Sequence, residues 1–129
     1  MPLLQGRWAG VRPAPQAQAQ EPPRREPRAQ ALRAACFDRE VKRFLVEHPA
    51  GTVVALGEGL ETQFWRVDNG HVRWLTVDLP GVIALREELL PRESERQRVV
   101  ACSALDEAWP GQVPDGPVLL TAQGLLMYF

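Results

Sequence analysis

Five consecutive apolar or β-branched residues, Thr52-Val53-Val54-Ala55-Leu56, show no polar alternation and stop abruptly at Gly57. A run of this kind predicts a strand covered on both faces, as in a parallel sheet. Three further runs have the same character: Val72 to Asp78, Arg98 to Cys102 and Pro117 to Ala122. The segments between them are different. Leu60 to Val67 suits a short helix, and Pro80, well placed in a first helical turn, opens a helix to about Leu90 with Val82, Leu85 and Leu89 on one face. Upstream, Leu32, Cys36, Val41, Phe44 and Leu45 share a helical face, leaving Asp38, Arg39, Glu40, Lys42 and Arg43 outside. His48-Pro49-Ala50-Gly51 ends that helix, because the residue before proline resists helix and glycine suits the exit. Asp68-Asn69-Gly70 is a turn, Pro91 to Gln97 a charged loop, and Ser103 to Trp109 a loop opening a short helical turn. Strands alternating with helices predict an α/β fold, a doubly wound parallel sheet with right-handed crossovers.

Composition bounds what such a domain does. The 129 residues suffice for one domain with a real core, and a net charge of −1 gives no reason to expect nucleic acid or a membrane as partner. The charge is uneven, however. Residues 1–30 carry Arg7, Arg12, Arg24, Arg25 and Arg28 against Glu21 and Glu26, together with six of the twelve prolines. Rich in Pro, Ala, Gln and Arg, this stretch predicts a disordered tail, with order beginning near Ala31. Cys36 and Cys102 form neither a close pair nor a metal-like spacing, and both read as buried thiols in a reducing, cytoplasmic setting. The chain has no run near the ~18 apolar residues of a membrane span. After the fourth strand come Leu125-Leu126-Met127-Tyr128-Phe129, large and apolar. They suggest the N-terminal part of a larger domain, truncated after four strands, whose unpaired fourth strand would favour self-association.

The candidate chemistry lies where the first strand breaks. Gly57 permits a tight turn, and Gly59 lets a ligand approach the backbone. Asp78 closes the second strand about 20 positions later, where an acidic residue grips a ribose diol. No metal-ligand spacing, serine–histidine–acid set or paired carboxylates suited to hydrolysis is evident, and no catalytic residue is assigned. His48 and His71 read as turn residues, Trp65 and Trp74 as core.

Leu56-Gly57-Glu58-Gly59-Leu60-Glu61-Thr62-Gln63-Phe64-Trp65-Arg66 resembles the glycine motif of the leucine carboxyl methyltransferase family, in particular its polyketide-biosynthesis O-methyltransferases. Val77-Asp78-Leu79-Pro80, Ser103-Ala104-Leu105-Asp106 and Ala122-Gln123-Gly124-Leu125-Leu126-Met127-Tyr128 resemble the family's segments after its second, third and fourth strands. The resemblance runs in unbroken order from about Ala31 to Phe129. It implies a class I methyltransferase (Rossmann-like) fold, S-adenosyl-L-methionine as cofactor and a small-molecule methyl acceptor offering a carboxylate or hydroxyl. It further implies that Gly57 and Gly59 face the methionine portion, Asp78 the ribose, and Asp106 and Leu105 the adenine. Arg33 would pair with the methionine carboxylate, for which a planar guanidinium is suited. Gln123 stands where many relatives carry glutamate near the sulfonium. From the residues alone, Arg33 also reads as an exposed helix charge and Asp106 as a cap residue. Two other functions stay open: a nicotinamide-dependent Rossmann oxidoreductase, although Thr62 replaces its third glycine, and a non-catalytic remnant acting as an assembly module.

Overall fold

Every residue of strand β1 (Thr52–Leu56) is buried, and the sheet is built around it. A computed structural model describes residues 26–123. Most of the expected tail and the apolar segment 125–129 lie outside them. On one side β1 runs parallel to β2 (Arg73–Asp78), with Val53 opposite Trp74 and Leu56 opposite Val77. Beyond β2 lies β3 (Gln97–Ala101), also parallel. On its other side β1 pairs in parallel with β4 (Val118–Thr121). The order β3-β2-β1-β4 is that of the doubly wound sheet expected from the sequence.

The unbroken apolar character of β1 follows from two cores. Val53 and Ala55 face one, with Val41 and Leu45 from helix α1 (Glu26–Glu47), Phe64 and Val67 from helix α2 (Gln63–Val67), and Trp74. The Phe64 and Trp74 rings meet edge to face, their centroids 5.7 Å apart. Val54 and Leu56 face the other core, with Leu75, Val77, Val100 and Cys102, and Trp109 and Val113 flank it on either side of a 3₁₀ turn over Pro110–Gln112.

Three details depart from the sequence expectation. Helix α1 starts at Glu26, upstream of Ala31, and proline at its second position falls where a missing N–H is harmless. Its buried residues come from the C-terminal half, whereas Leu32 is 63% exposed and Cys36 is exposed rather than buried. Length explains this. A helix of 22 residues extends roughly 33 Å, and a strand of five residues covers about 17 Å, so the upstream half of α1 runs past the strand ends. Cys102 is buried as expected, and burial, aided by the nearby Asp106 charge, pushes its thiol up from the usual range.

Helix α3 (Pro80–Leu89) also turns differently from its apolar pattern. Ile83 and Arg86 are its buried residues, while Leu85 and Leu89 are exposed. Helix α2 begins only at Gln63, because residues 57–62 form a hydrogen-bonded turn: the Gly57 N–H donates to Val77 O at 2.8 Å and the Glu61 N–H to Glu58 O at 3.1 Å.

Candidate cofactor site at the switch point

From β1 the chain winds outward through β2 to β3, then returns to place β4 on the opposite side of β1. Crevices in such sheets open at the carboxyl ends of the strands where this reversal occurs. A cavity of about 240 Å³ lies there, bounded by Ala55 and Leu56 of β1, Thr121 of β4 and Arg33 of α1. Gln123, two residues beyond β4, and Glu58 in the turn also line it.

The turn between β1 and α2 has the geometry its glycines allow. Gly57 and Gly59 adopt left-handed φ values of 64° and 61°, which other residues rarely take. A Cβ built on Gly59 would meet nothing within 4 Å, so this face of the loop is open. The Gly59 N–H donates to Asp78 Oδ2 at 2.8 Å, and the Leu79 N–H to Asp78 Oδ1 at 2.8 Å. Two backbone donors thus orient the Asp78 carboxylate, and each oxygen keeps a further lone pair for an incoming hydroxyl.

Beneath the loop sits a polar network that sequence reasoning missed. The Glu58 side chain is only 3% exposed and the Arg86 side chain 6%. Arg86 Nη1 donates to Gly59 O at 2.8 Å and to Glu61 O at 2.7 Å, and its guanidinium carbon lies 5.8 Å from the centroid of the Trp65 ring. Arg86 Nη2 stands 3.5 Å from Glu58 Oε1, close enough for an ion pair, yet Oε1 receives no hydrogen bond. Glu58 Oε2 accepts from Thr76 Oγ1 at 2.6 Å and from Trp74 Nε1 at 3.3 Å. Burial raises the Glu58 carboxyl above its ordinary range, against the lowering effects of Arg86, Thr76 and Trp74. The available signal was an arginine three residues after Ile83, on what becomes the buried stripe of α3.

Asp38 was also misread, as an outward charge on α1. Its carboxylate accepts from Arg66 Nε at 2.7 Å and from Gln63 Nε2 at 2.9 Å, tying α1 to α2. Desolvation raises its carboxyl, but the bonds from Arg66 and Gln63 outweigh this and leave it below the ordinary value. Arg66 Nη2 also reaches Glu61 Oε1 at 2.7 Å, so the end of the glycine turn is braced as well.

The structure therefore brings Gly57, Gly59 and Asp78 together and places Arg33 and Gln123 on the adjoining cavity. Leu105 and Asp106 lie past the end of β3, both exposed. The Asp106 carboxylate accepts the Ala108 N–H at 2.8 Å, so it caps its own turn, the alternative its position in the sequence had left open. Among the described residues no group of acidic, histidine or cysteine side chains could hold a metal ion.

A family profile for leucine carboxyl methyltransferases matches residues 5–129. The chain belongs to the leucine carboxyl methyltransferase family. Among curated relatives, the tetracenomycin polyketide synthesis O-methyltransferase TcmP of Streptomyces glaucescens is 38% identical over 99 residues, covering 75% of this chain. The match covers 36% of TcmP, so the chain spans about a third of the length of that relative. No solved structure matches the chain. Membership accounts for the order β3-β2-β1-β4 and for a glycine turn facing an acidic strand tip, the Rossmann-like arrangement of class I methyltransferases.

Proposed function

We propose that the chain binds S-adenosyl-L-methionine at the switch-point cavity and supplies the cofactor-binding part of an O-methyltransferase acting on a carboxylate or hydroxyl of a small molecule. The observation that carries this reading is the Asp78–Gly59 hydrogen bond, which joins the tips of β1 and β2 beside an open loop face. The donor set fits the cofactor. Asp78 holds acceptor capacity for a vicinal diol, Arg33 on the cavity wall suits a carboxylate, and Gly59 leaves room for close approach. Asp106 and Leu105, at the next strand end, would meet the adenine. Gln123 offers an amide rather than a charge beside the sulfonium.

When bound, the cofactor supplies a methyl group already activated on sulfur, so the protein's task is alignment and exclusion of water. Within this chain, Asp78 and Arg33 would fix the two ends of the ligand, and the glycine turn would set its depth. A carboxylate acceptor needs no general base, and a hydroxyl acceptor needs one. The acceptor class is supported by the name of the relative, a polyketide O-methyltransferase. Cytoplasmic location belongs to the same reading and is supported by the two free cysteines. Among the described residues, no helix is long and apolar enough to cross a membrane.

Isothermal titration tests the reading directly. S-adenosylmethionine and S-adenosylhomocysteine should bind the chain, and NAD should not. The nicotinamide alternative is disfavoured because Thr62 replaces the third glycine and α2, which begins after it, has only five residues. Tighter binding of NAD would reverse that choice. One further property belongs to the proposal. Strand β4 pairs with β1 alone among the described residues, and its Val118 and Leu120 are exposed, an edge suited to association with a second copy. Light scattering should show a mass that rises with concentration, whereas a constant monomer mass would remove self-association.

A further inference from the structure

We infer that Arg86 is a positioning residue for the cofactor: from α3 it holds the glycine turn in its ligand-ready shape by clamping the carbonyls of Gly59 and Glu61. The inference rests on the cofactor reading above and adds to it a residue outside the cavity. Between β1 and α2, the carbonyls of the half-buried Gly59 and Glu61 have no partner in the sheet or in a helix, and carbonyls partly withdrawn from water gain from one. Arg86 Nη1 reaches both, at 2.8 and 2.7 Å.

The turn is then fixed on two sides. The Gly59 N–H is held by Asp78 and its C=O by Arg86, so the peptides flanking this residue cannot rotate independently. Its third side, where a Cβ would project, is empty. A loop held from below and open above is preorganised, and a ligand contacting it is spared the ordering entropy of a mobile loop. Glu58 completes the device. Anchored on β2 by Thr76 and Trp74, it places a carboxylate 3.5 Å from Arg86 Nη2 and keeps the guanidinium aimed at the turn.

Stability alone is a poor reason for this arrangement. A buried charge pair is often matched or bettered by apolar residues of similar volume, and two leucines of the same helix, Leu85 and Leu89, face solvent instead. What an apolar residue at position 86 could not do is donate to two loop carbonyls at once. Lysine would keep the charge without the planar fork.

The test compares Arg86→Met, Arg86→Lys and a control, Ile83→Ala, in the full chain. Ile83 is buried on the same helix, and no part of the clamp or of the cavity wall includes it. Two quantities are read on folded protein: hydrogen exchange of the Gly57, Gly59 and Glu61 amides without ligand, and affinity for S-adenosylhomocysteine. Arg86→Met should speed exchange at these amides and weaken affinity about tenfold, equivalent to about 1.4 kcal/mol, with Arg86→Lys in between. Ile83→Ala should lower the melting temperature while leaving turn exchange and affinity at the wild-type level. Wild-type exchange and affinity in Arg86→Met would overturn the inference, as would equal loosening of the turn by Ile83→Ala. If the wild-type chain binds no adenosyl ligand, the cofactor reading fails by itself, and ligand-free exchange still decides whether Arg86 holds the turn.

Discussion

Replacing Asp78 by alanine is expected to weaken binding of S-adenosylhomocysteine by about 1.5–3 kcal/mol, roughly 10- to 150-fold, the range for hydrogen bonds to a charged group. Two losses combine. The carboxylate that would accept the ribose hydroxyls disappears, and the Gly59 N–H, now 2.8 Å from Asp78 Oδ2, loses its partner at the edge of the ligand site. Asp78→Asn separates the two. Its amide oxygen can still accept the Gly59 N–H but carries no charge, so the turn should stay in place while affinity falls by a smaller factor. Titration calorimetry measures both variants against wild type. Equal affinity in Asp78→Ala and wild type would remove Asp78 from the site and, with it, the principal support for a ribose-binding role.

The largest expected effect on stability is at Trp74. The residue is 2% exposed, and its ring packs edge to face against Phe64 and donates through Nε1 to Glu58 Oε2 at 3.3 Å. Trp74→Ala should lower unfolding free energy by roughly 3–5 kcal/mol, as for other large-to-small changes of buried aromatics. Domains of this size have only about 5–15 kcal/mol in total, so the variant should be largely unfolded at moderate urea. Trp74→Phe, which retains most of the apolar contact and loses the indole N–H, should lie between. Urea denaturation followed by circular dichroism gives both values. A loss below about 1 kcal/mol in Trp74→Ala would mean that the core between β2 and α2 contributes little to holding the fold.

The two residues also show why some of this protein was legible in its sequence and some was not. Strand β1 and the turn after it could be read directly. A five-residue apolar run, β-branched at Thr52, Val53 and Val54 and closed by Gly57, favours a strand buried on both faces, and left-handed turns select glycine, so the sequence carries the backbone geometry locally. Asp78 was legible for a related reason: as the last residue of the next strand in a parallel sheet, its place beside the glycine turn follows from connectivity. The strand order needed more than pattern, yet the right-handed crossover rule and the family resemblance were enough to place β4 beside β1.

The polar interior was not legible. Asp38 and Arg86 stand near exposed charges such as Arg39 and Glu88, Glu58 stands between two glycines, and residue type gives no sign that their partners, Arg66 and Gln63, Thr76 and Trp74, and the carbonyls of Gly59 and Glu61, lie 16 to 28 positions away in the chain. In the same way α3 buries Ile83 and Arg86 rather than Leu85 and Leu89, because Arg86 meets carbonyls of a turn that lies more than 20 residues upstream. The exposure of Leu32 and Cys36 also escaped the pattern, because periodicity identifies which residues share a helix face but not how far the sheet beneath extends. The sequence by itself determined the strands, the glycine turn and the acid opposite it, since each rests on local backbone chemistry. Only the tertiary structure decided which charges are buried and what holds the turn in place, since those depend on groups that folding brings together from distant parts of the chain.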